Sequence, residues 1–238
     1  MVDLLFTAHN RLAFTQATFP ALLANTNWER VSHLYVLDDL SEDGTAEYLC
    51  SEVAEFYDHT GMKTDCISDR FGGPVAAMNY ALDHGDSDVL VKCDNDLLVC
   101  PGWLDALLDV LDAAPELDVL GFEAEFGDGL APAGAARTYR EASHCGGVGA
   151  FRVRAFARHR PKGHDRYFGL TEFQRRFAKC GWLVPDLPCP LLDHLPFDPW
   201  RSLAEEYVAR GWSRSWPAYP YSMDAYWLWW ASDWATIL

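Results

Sequence analysis

Apolar residues follow two rhythms along this chain. Val2 to Thr7, Val31 to Leu37, Lys63 to Ser68 and Val89 to Cys93 read as short strands, and the last, apolar and rich in β-branched residues but for one Lys, as a strand covered on both faces. Between them the chain carries helical patterns, the first with Leu12, Phe14, Phe19, Leu22 and Leu23. Pro20 is expected to kink or divide the first helix. Ser41-Glu42-Asp43-Gly44-Thr45 is turn and cap chemistry opening a helix from about Thr45 to His59, with Gly61 as its stop. Asp69-Arg70-Phe71-Gly72-Gly73-Pro74 is a tight loop opening another helix at Pro74 that closes near Gly85. Strands alternating with helices at this spacing predict an α/β fold with a mostly parallel sheet and right-handed crossovers.

The second half is less regular. Pro101-Gly102-Trp103-Leu104 opens a helix to about Ala114, and Leu117 to Phe126 reads as a strand. Gly127 to Ala136 has little periodicity and is expected to be a mobile surface loop. His144 to Val153 reads as extended, with Gly146, Gly147 and Gly149 allowing close backbone approach. A short basic helix over Val153 to His159 and a loop over Pro161 to Leu170 follow. Thr171 to Cys180 is then expected to be a helix capped by Thr171 and stopped by Gly181, and Trp182 to Leu187 a short strand.

Beyond His194 the chain turns aromatic. Met223, Tyr226, Trp227, Trp230 and Trp234 share one helical face, which is expected to pack on the domain or on a sister subunit; the alternative is a lid or stacking wall for a sugar. The division expected is one domain over 1–195 and an aromatic-rich extension over 196–238.

Composition narrows the field. Half of the 238 residues are hydrophobic, enough for a substantial core. A formal charge of -16 argues against a sequence-independent hold on nucleic acid or on an anionic membrane. It does not exclude a nucleotide, because a metal can mediate between acidic protein and acidic phosphate. The seven cysteines form no Cys-x-x-Cys pair, which suggests reduced thiols. Leu4-Leu5-Phe6 is too short for a signal peptide, and no apolar run is long enough to span a bilayer, so the expectation is a cytoplasmic protein.

Ligands in parallel α/β sheets bind beyond the carboxyl ends of the strands. Four polar clusters fall at such ends: Thr7 to Arg11, Asp38-Asp39, Asp69 to Gly73, and Asp94 to Asp96. Each could be an ordinary loop, but together they predict one crevice. Asp94 and Asp96 end a strand whose only polar interruption is Lys92. Two crowded carboxylates there are costly to keep ionised unless something positive is present, and a hard divalent cation carrying phosphate oxygens would answer that cost. The plain alternative is a turn after a strand.

These pieces in order resemble the GT-A-fold glycosyltransferases of family 2. The resemblance rests on Thr7-Ala8-His9-Asn10-Arg11, on Val36-Leu37-Asp38-Asp39 through Thr45, on Gly72-Gly73 with Ala77 and Asn79, and on Lys92-Cys93-Asp94-Asn95-Asp96 with Pro101-Gly102-Trp103-Leu104. It spans about residues 2 to 195 and is strongest up to Leu104. It implies a nucleotide-sugar-binding half over about 1–104 and an acceptor half over about 105–195. A nucleotide-diphosphate sugar, with a UDP-sugar favoured, would be held by Thr7, His9, Arg11, Asp39, Arg70, Gly72, Gly73, Asn79 and Asp94. Mn²⁺ or Mg²⁺ would be held by Asp94, Asp96 and His194, with Asp193 orienting the imidazole. A glycan or small-molecule acceptor would sit over Gly146, Gly147 and Trp182.

The resemblance weakens at the general base. Inverting members carry Glu-Asp at the start of the helix that here begins near Thr171, whereas this chain reads Gly169-Leu170-Thr171-Glu172-Phe173-Gln174. Glu172 is the leading candidate and Asp165 the second; Glu172 could equally serve its helix dipole. The reading implied is a metal-dependent transfer to an acceptor hydroxyl with inversion. The alternative is an inactive scaffold of the same fold that binds a nucleotide or glycan. A nucleotidyltransferase ranks last, since Ala8-His9-Asn10-Arg11 lacks glycine. A homo-oligomer through the aromatic tail is a further expectation.

Overall fold

The computed structural model describes residues 1–99, 101–122, 131–133, 138–145, 149–161, 169–184 and 189–194. In chain order the elements are β1 (Val2–Ala8), α1 (Leu12–Asn25), β2 (Val31–Asp38), α2 (Thr45–Thr60), β3 (Thr64–Ser68), α3 (Pro74–His84), β4 (Val89–Asp94), β5 (Leu97–Val99) and α4 (Trp103–Ala113). There follow β6 (Val119–Gly121), β7 (Ala131–Ala133), β8 (Thr138–Ala142), β9 (Gly149–Arg152), α5 (Val153–Arg158), α6 (Gly169–Phe177), β10 (Cys180–Val184) and β11 (Cys189–His194).

An eight-stranded sheet runs β3-β2-β1-β4-β9-β6-β10-β8, and a three-stranded one runs β5-β11-β7. β3, β2, β1 and β4 are mutually parallel neighbours, while β9 lies antiparallel to β4 and β6. Strand alternation splits the core into two layers. Leu4, Phe6, Val36 and Val91 pack under Phe19, Leu49, Trp103 and Leu107 from α1, α2 and α4. Leu5, Tyr35, Leu90 and Phe151 pack under Met78, Phe156 and Phe173 from α3, α5 and α6. Helices therefore cover both faces, and the open ends of β1 and β4 form the crevice between crossovers that leave in opposite directions.

Several expectations need correction. α1 runs undivided through Pro20. Pro20 and Gln16 both lie exposed, so the Gln16 carbonyl deprived of its partner can turn to water. Thr171 does not cap α6, which begins at Gly169 and ends at Phe177. Gly181 is not a helix stop but a residue of β10, where an added Cβ would come within 2.8 Å of the Tyr139 ring on β8. The stretch 127–136, expected as a loop throughout, contains β7, and β8 and β11 went unanticipated. The aromatic extension over 196–238 lies outside the described residues.

Candidate active site

β1 and β4 pair in parallel, and their register sets Thr7 directly beside Asp94. The Thr7 hydroxyl donates to Asp94 Oδ1 at 2.6 Å. Lys92, two residues earlier on the same face of β4, donates its ammonium to the same oxygen. Lys92 is only 1% exposed, and a buried ammonium is tolerable only beside an anion that takes its proton donors. Asp94 is that anion, which explains how a lysine can interrupt the apolar strand.

The middle residue of the motif is fixed from below. Asn95 donates its backbone N–H to the Thr7 carbonyl at 3.0 Å and its Nδ2 to the Asn10 carbonyl at 2.9 Å and the Thr15 hydroxyl at 3.0 Å. Its own carbonyl accepts from the Thr18 hydroxyl at 3.1 Å. With Asn95 locked between the first loop and α1, the backbone positions of Asp94 and Asp96 on either side of it are set. Asp96 is 8% exposed, and its Oδ2 accepts from Arg11 Nη1 at 2.8 Å. Arg11 reaches it because Asn10 and Arg11 both take left-handed backbone, at φ of 54° and 66°. Two successive side-chain-bearing residues in that region store strain, which packed surroundings must hold in place.

Cys93, between Lys92 and Asp94, is no candidate for nucleophile or soft ligand. Burial pushes its thiol well up, and the neighbouring Asp94 carboxylate adds to the effect. The donors that the motif presents are hard carboxylate oxygens, the chemistry that suits Mg²⁺ or Mn²⁺.

The opposite rim is knitted from the loops after β2 and β3. Asp38 is 2% exposed and accepts from the Ser41 N–H at 2.9 Å, from the Ser68 hydroxyl at 2.7 Å and from the Ser41 hydroxyl. It is a pin for the loops. Asp39 points elsewhere: its N–H donates to the Ala8 carbonyl at 2.8 Å, its carbonyl lies 2.7 Å from His9 Nδ1, and its Oδ1 accepts from the Gly72 N–H at 2.8 Å. Gly72 and Gly73, at φ of 85° and 119°, supply backbone that a side chain would resist. Asn10 closes the ring, its N–H donating to the Ser41 hydroxyl and its Oδ1 accepting from the Glu42 N–H.

Thr7, His9, Arg11, Asp39, Gly72, Asp94 and Asp96 thus come together on the two rims of one crevice at the ends of β1, β2 and β4. Arg70 lies exposed on the same loop as Gly72, its N–H donating to Asp69 Oδ1 at 2.7 Å. Asn79 is tied instead to the Pro161 carbonyl, at 3.0 Å from its Nδ2.

The remaining candidates are more dispersed. Glu172 sits exposed in the first turn of α6, with Arg176 at 3.0 Å one turn on. Trp182 lies in β10, with the Arg140 guanidinium 4.8 Å above its ring. β11 pairs with β5 so that His194 stands opposite Leu97, the residue after Asp96. The His194 side chain, Gly146, Gly147 and Asp165 lie outside the described residues. Among the described residues no group of three or more His, Cys, Asp and Glu gathers as a metal cluster. Lys92 and Asn95 are the residues that sequence reasoning gave no role; the signal was a lone lysine in an apolar strand and a polar residue held between two carboxylates. Gln174 is a third, 1% exposed and accepting the Cys145 N–H at 2.6 Å, so that α6 holds the chain just before Gly146.

The sequence model described as "Glycosyl transferase family 2" matches residues 3–176. The chain belongs to that family. Among proteins of curated function none matches it by sequence. Its fold is shared with solved structures. The mannosyltransferase PcManGT from Pyrobaculum calidifontis, in complex with GDP-Man and Mn²⁺, aligns at 18% identity over 92% of this chain and 66% of its own, with a TM-score of 0.62. S. aureus TarS 1-349 aligns at 15% identity over 79% of this chain and 59% of its own, with a TM-score of 0.58. GalNAc-T7 with UDP, GalNAc and Mn²⁺ aligns at 12% identity over 82% of this chain and 43% of its own, with a TM-score of 0.58. The chain thus spans less than two thirds of the length of these proteins. No helix among the described residues is long and apolar enough to cross a membrane.

Proposed function

We propose that this protein transfers a sugar from a nucleotide-diphosphate donor to an acceptor hydroxyl, with Asp94 and Asp96 at the centre of the donor site. The observation that carries the reading is the placement of these two carboxylates at the open end of β4 beside β1, each already fixed by a cationic side chain. Family membership and the nucleotide sugars bound by similar structures support it.

The rim around Asp39, His9, Gly72 and Gly73 takes the base and ribose, with Arg70 and Asn79 on the loop and helix that border it. Thr7 and Lys92 hold Asp94 in a single orientation. Asp94 and Asp96, with His194, are the residues that would hold Mn²⁺ or Mg²⁺, whose chemistry is to stabilise the charge building on the leaving diphosphate. Arg11 brings a second positive charge to the same place.

Glu172 accepts the proton of the acceptor hydroxyl as that oxygen attacks the anomeric carbon, with Asp165 as the alternative base. A single displacement of this kind inverts the anomeric centre. Gly146, Gly147 and Trp182 border the acceptor, and a UDP-sugar is the favoured donor. The test is release of nucleoside diphosphate from a panel of nucleotide sugars with mixed acceptors and Mn²⁺. The wild-type chain should turn over at least one donor, and Asp96→Ala should abolish that turnover. Transfer by Asp96→Ala at the wild-type rate would refute the assignment, whereas nucleotide binding without turnover by the wild type would leave the fold serving as a scaffold.

A further inference from the structure

Between α2 and the edge strand β3, two thiols face one another. Cys50, on α2, and Cys66, on β3, have their sulfurs 3.1 Å apart. That separation exceeds a covalent S–S bond by about 1 Å, a distance that small side-chain rotations can close. Cys50 is exposed and Cys66 half-buried, whereas Cys93, Cys145 and Cys180 are buried. Of these described cysteines, Cys50 is therefore the one an oxidant meets first from solvent, and Cys66 lies against it.

We propose that Cys50 and Cys66 are a reversible disulfide site that closes on exposure to a low-molecular-weight disulfide. The Cys50 thiolate attacks one sulfur of the oxidant; its S–S bond breaks, and one thiol leaves carrying a proton. The Cys66 thiolate then attacks the Cys50 sulfur and releases the second thiol in the same way. The two cysteines lose two electrons and two protons, and the oxidant's sulfurs gain them. Burial and the neighbouring Cys50 push the Cys66 thiol up, which leaves the first attack to Cys50; in the second step the Cys66 sulfur already lies against its target.

The bond joins two elements that carry one rim of the crevice. α2 begins at Thr45, whose hydroxyl and N–H bind Asp43, and Asp43 also accepts the Leu12 N–H at the head of α1. β3 ends at Ser68, whose hydroxyl holds Asp38. Closure clamps α2 to the edge strand behind these loops, and the cross-link restricts the unfolded chain.

The test is incubation of the full chain with oxidised glutathione, followed by thiol titration in denaturant, peptide mapping without reductant, and a melting curve. The wild type should lose two of its seven thiols, yield a single Cys50–Cys66 cross-linked peptide and melt at a higher temperature, all reversed by reductant. Cys66→Ser should stop at a glutathione adduct on Cys50, and Cys50→Ser should form no intramolecular bond. Retention of all thiols, glutathione left on Cys50 of the wild type, a bond mapped to another pair, or a cross-link without a gain in melting temperature would overturn the proposal.

Discussion

Lys92 and Asp94 stand two residues apart on one face of β4, joined by a hydrogen bond beneath the mouth of the crevice; their side chains are 2% and 28% exposed. The lysine gives a buried charge to the strand, and the aspartate pairs with it while still reaching water.

Replacing Lys92 by Met removes that ammonium and leaves Asp94 with Thr7 and solvent. Breaking one side of such a pair should lower stability by about 1–3 kcal/mol, below the cost for a fully buried pair because Asp94 is partly hydrated. Urea denaturation measures it. An unchanged midpoint would mean that the ammonium compensates nothing.

Leu40 carries a different kind of strain. It lies in left-handed backbone at φ of 54° and is 43% exposed, so it lacks the full burial that would repay the conformation. Leu40→Gly should relieve about 1–2 kcal/mol of steric cost while adding roughly 0.5–1 kcal/mol of chain entropy, for a small net gain in stability. A fall in melting temperature would show that the Leu40 side chain is held by something of value.

His33 gives the stability curve a pH dependence. It is 4% exposed, packs against Tyr35 with ring centres 3.9 Å apart and planes tilted by 32°, and lies 3.1 Å from Asp65 without hydrogen-bond geometry. Burial, reinforced by Lys63, holds it below its ordinary value of 6.5, against the opposing pull of Asp65 and Asp3. The folded state thus binds the proton less readily than the unfolded chain does. The stabilising contribution is present above pH ~6.5 and is lost as pH falls through the lowered folded value. Denaturation midpoints between pH 7.5 and 5 should decline, and His33→Gln should flatten that decline. An equal slope in the variant would assign the effect to other groups.

Much of the first half of the fold was legible because its signals are local. Thr7, Asp39, Asp94 and Asp96 lie at or just past the ends of strands with strong apolar patterning, and the parallel topology gathers strand ends by rule. What was lost depends on residues far apart. Gly181 imitates a helix stop, yet the Tyr139 ring and the Leu117 side chain against it explain why no side chain stands there. β8 reads Thr-Tyr-Arg-Glu-Ala, without an apolar face, and becomes a strand only by pairing with β10. β5 follows the motif so closely that Val89 to Val99 looks like one run, although Leu97 to Val99 pairs with β11 in a second sheet. The partners of Lys92 and Asn95 were illegible for the same reason: Asn10, Thr15 and Thr18 hold Asn95 from some eighty positions away.

The central claim is that Asp94 and Asp96 form a metal-assisted site for a nucleoside diphosphate. The most direct measurement is a thermal-shift panel of UDP, GDP and dTDP with and without Mn²⁺, on the wild type and on Asp96→Ala, since a ligand that binds only the native state raises its melting temperature. One nucleotide should give a shift that grows with Mn²⁺ in the wild type and loses its Mn²⁺-dependent part in Asp96→Ala. No shift with any nucleotide, or the same Mn²⁺-dependent shift in the variant, would contradict that claim.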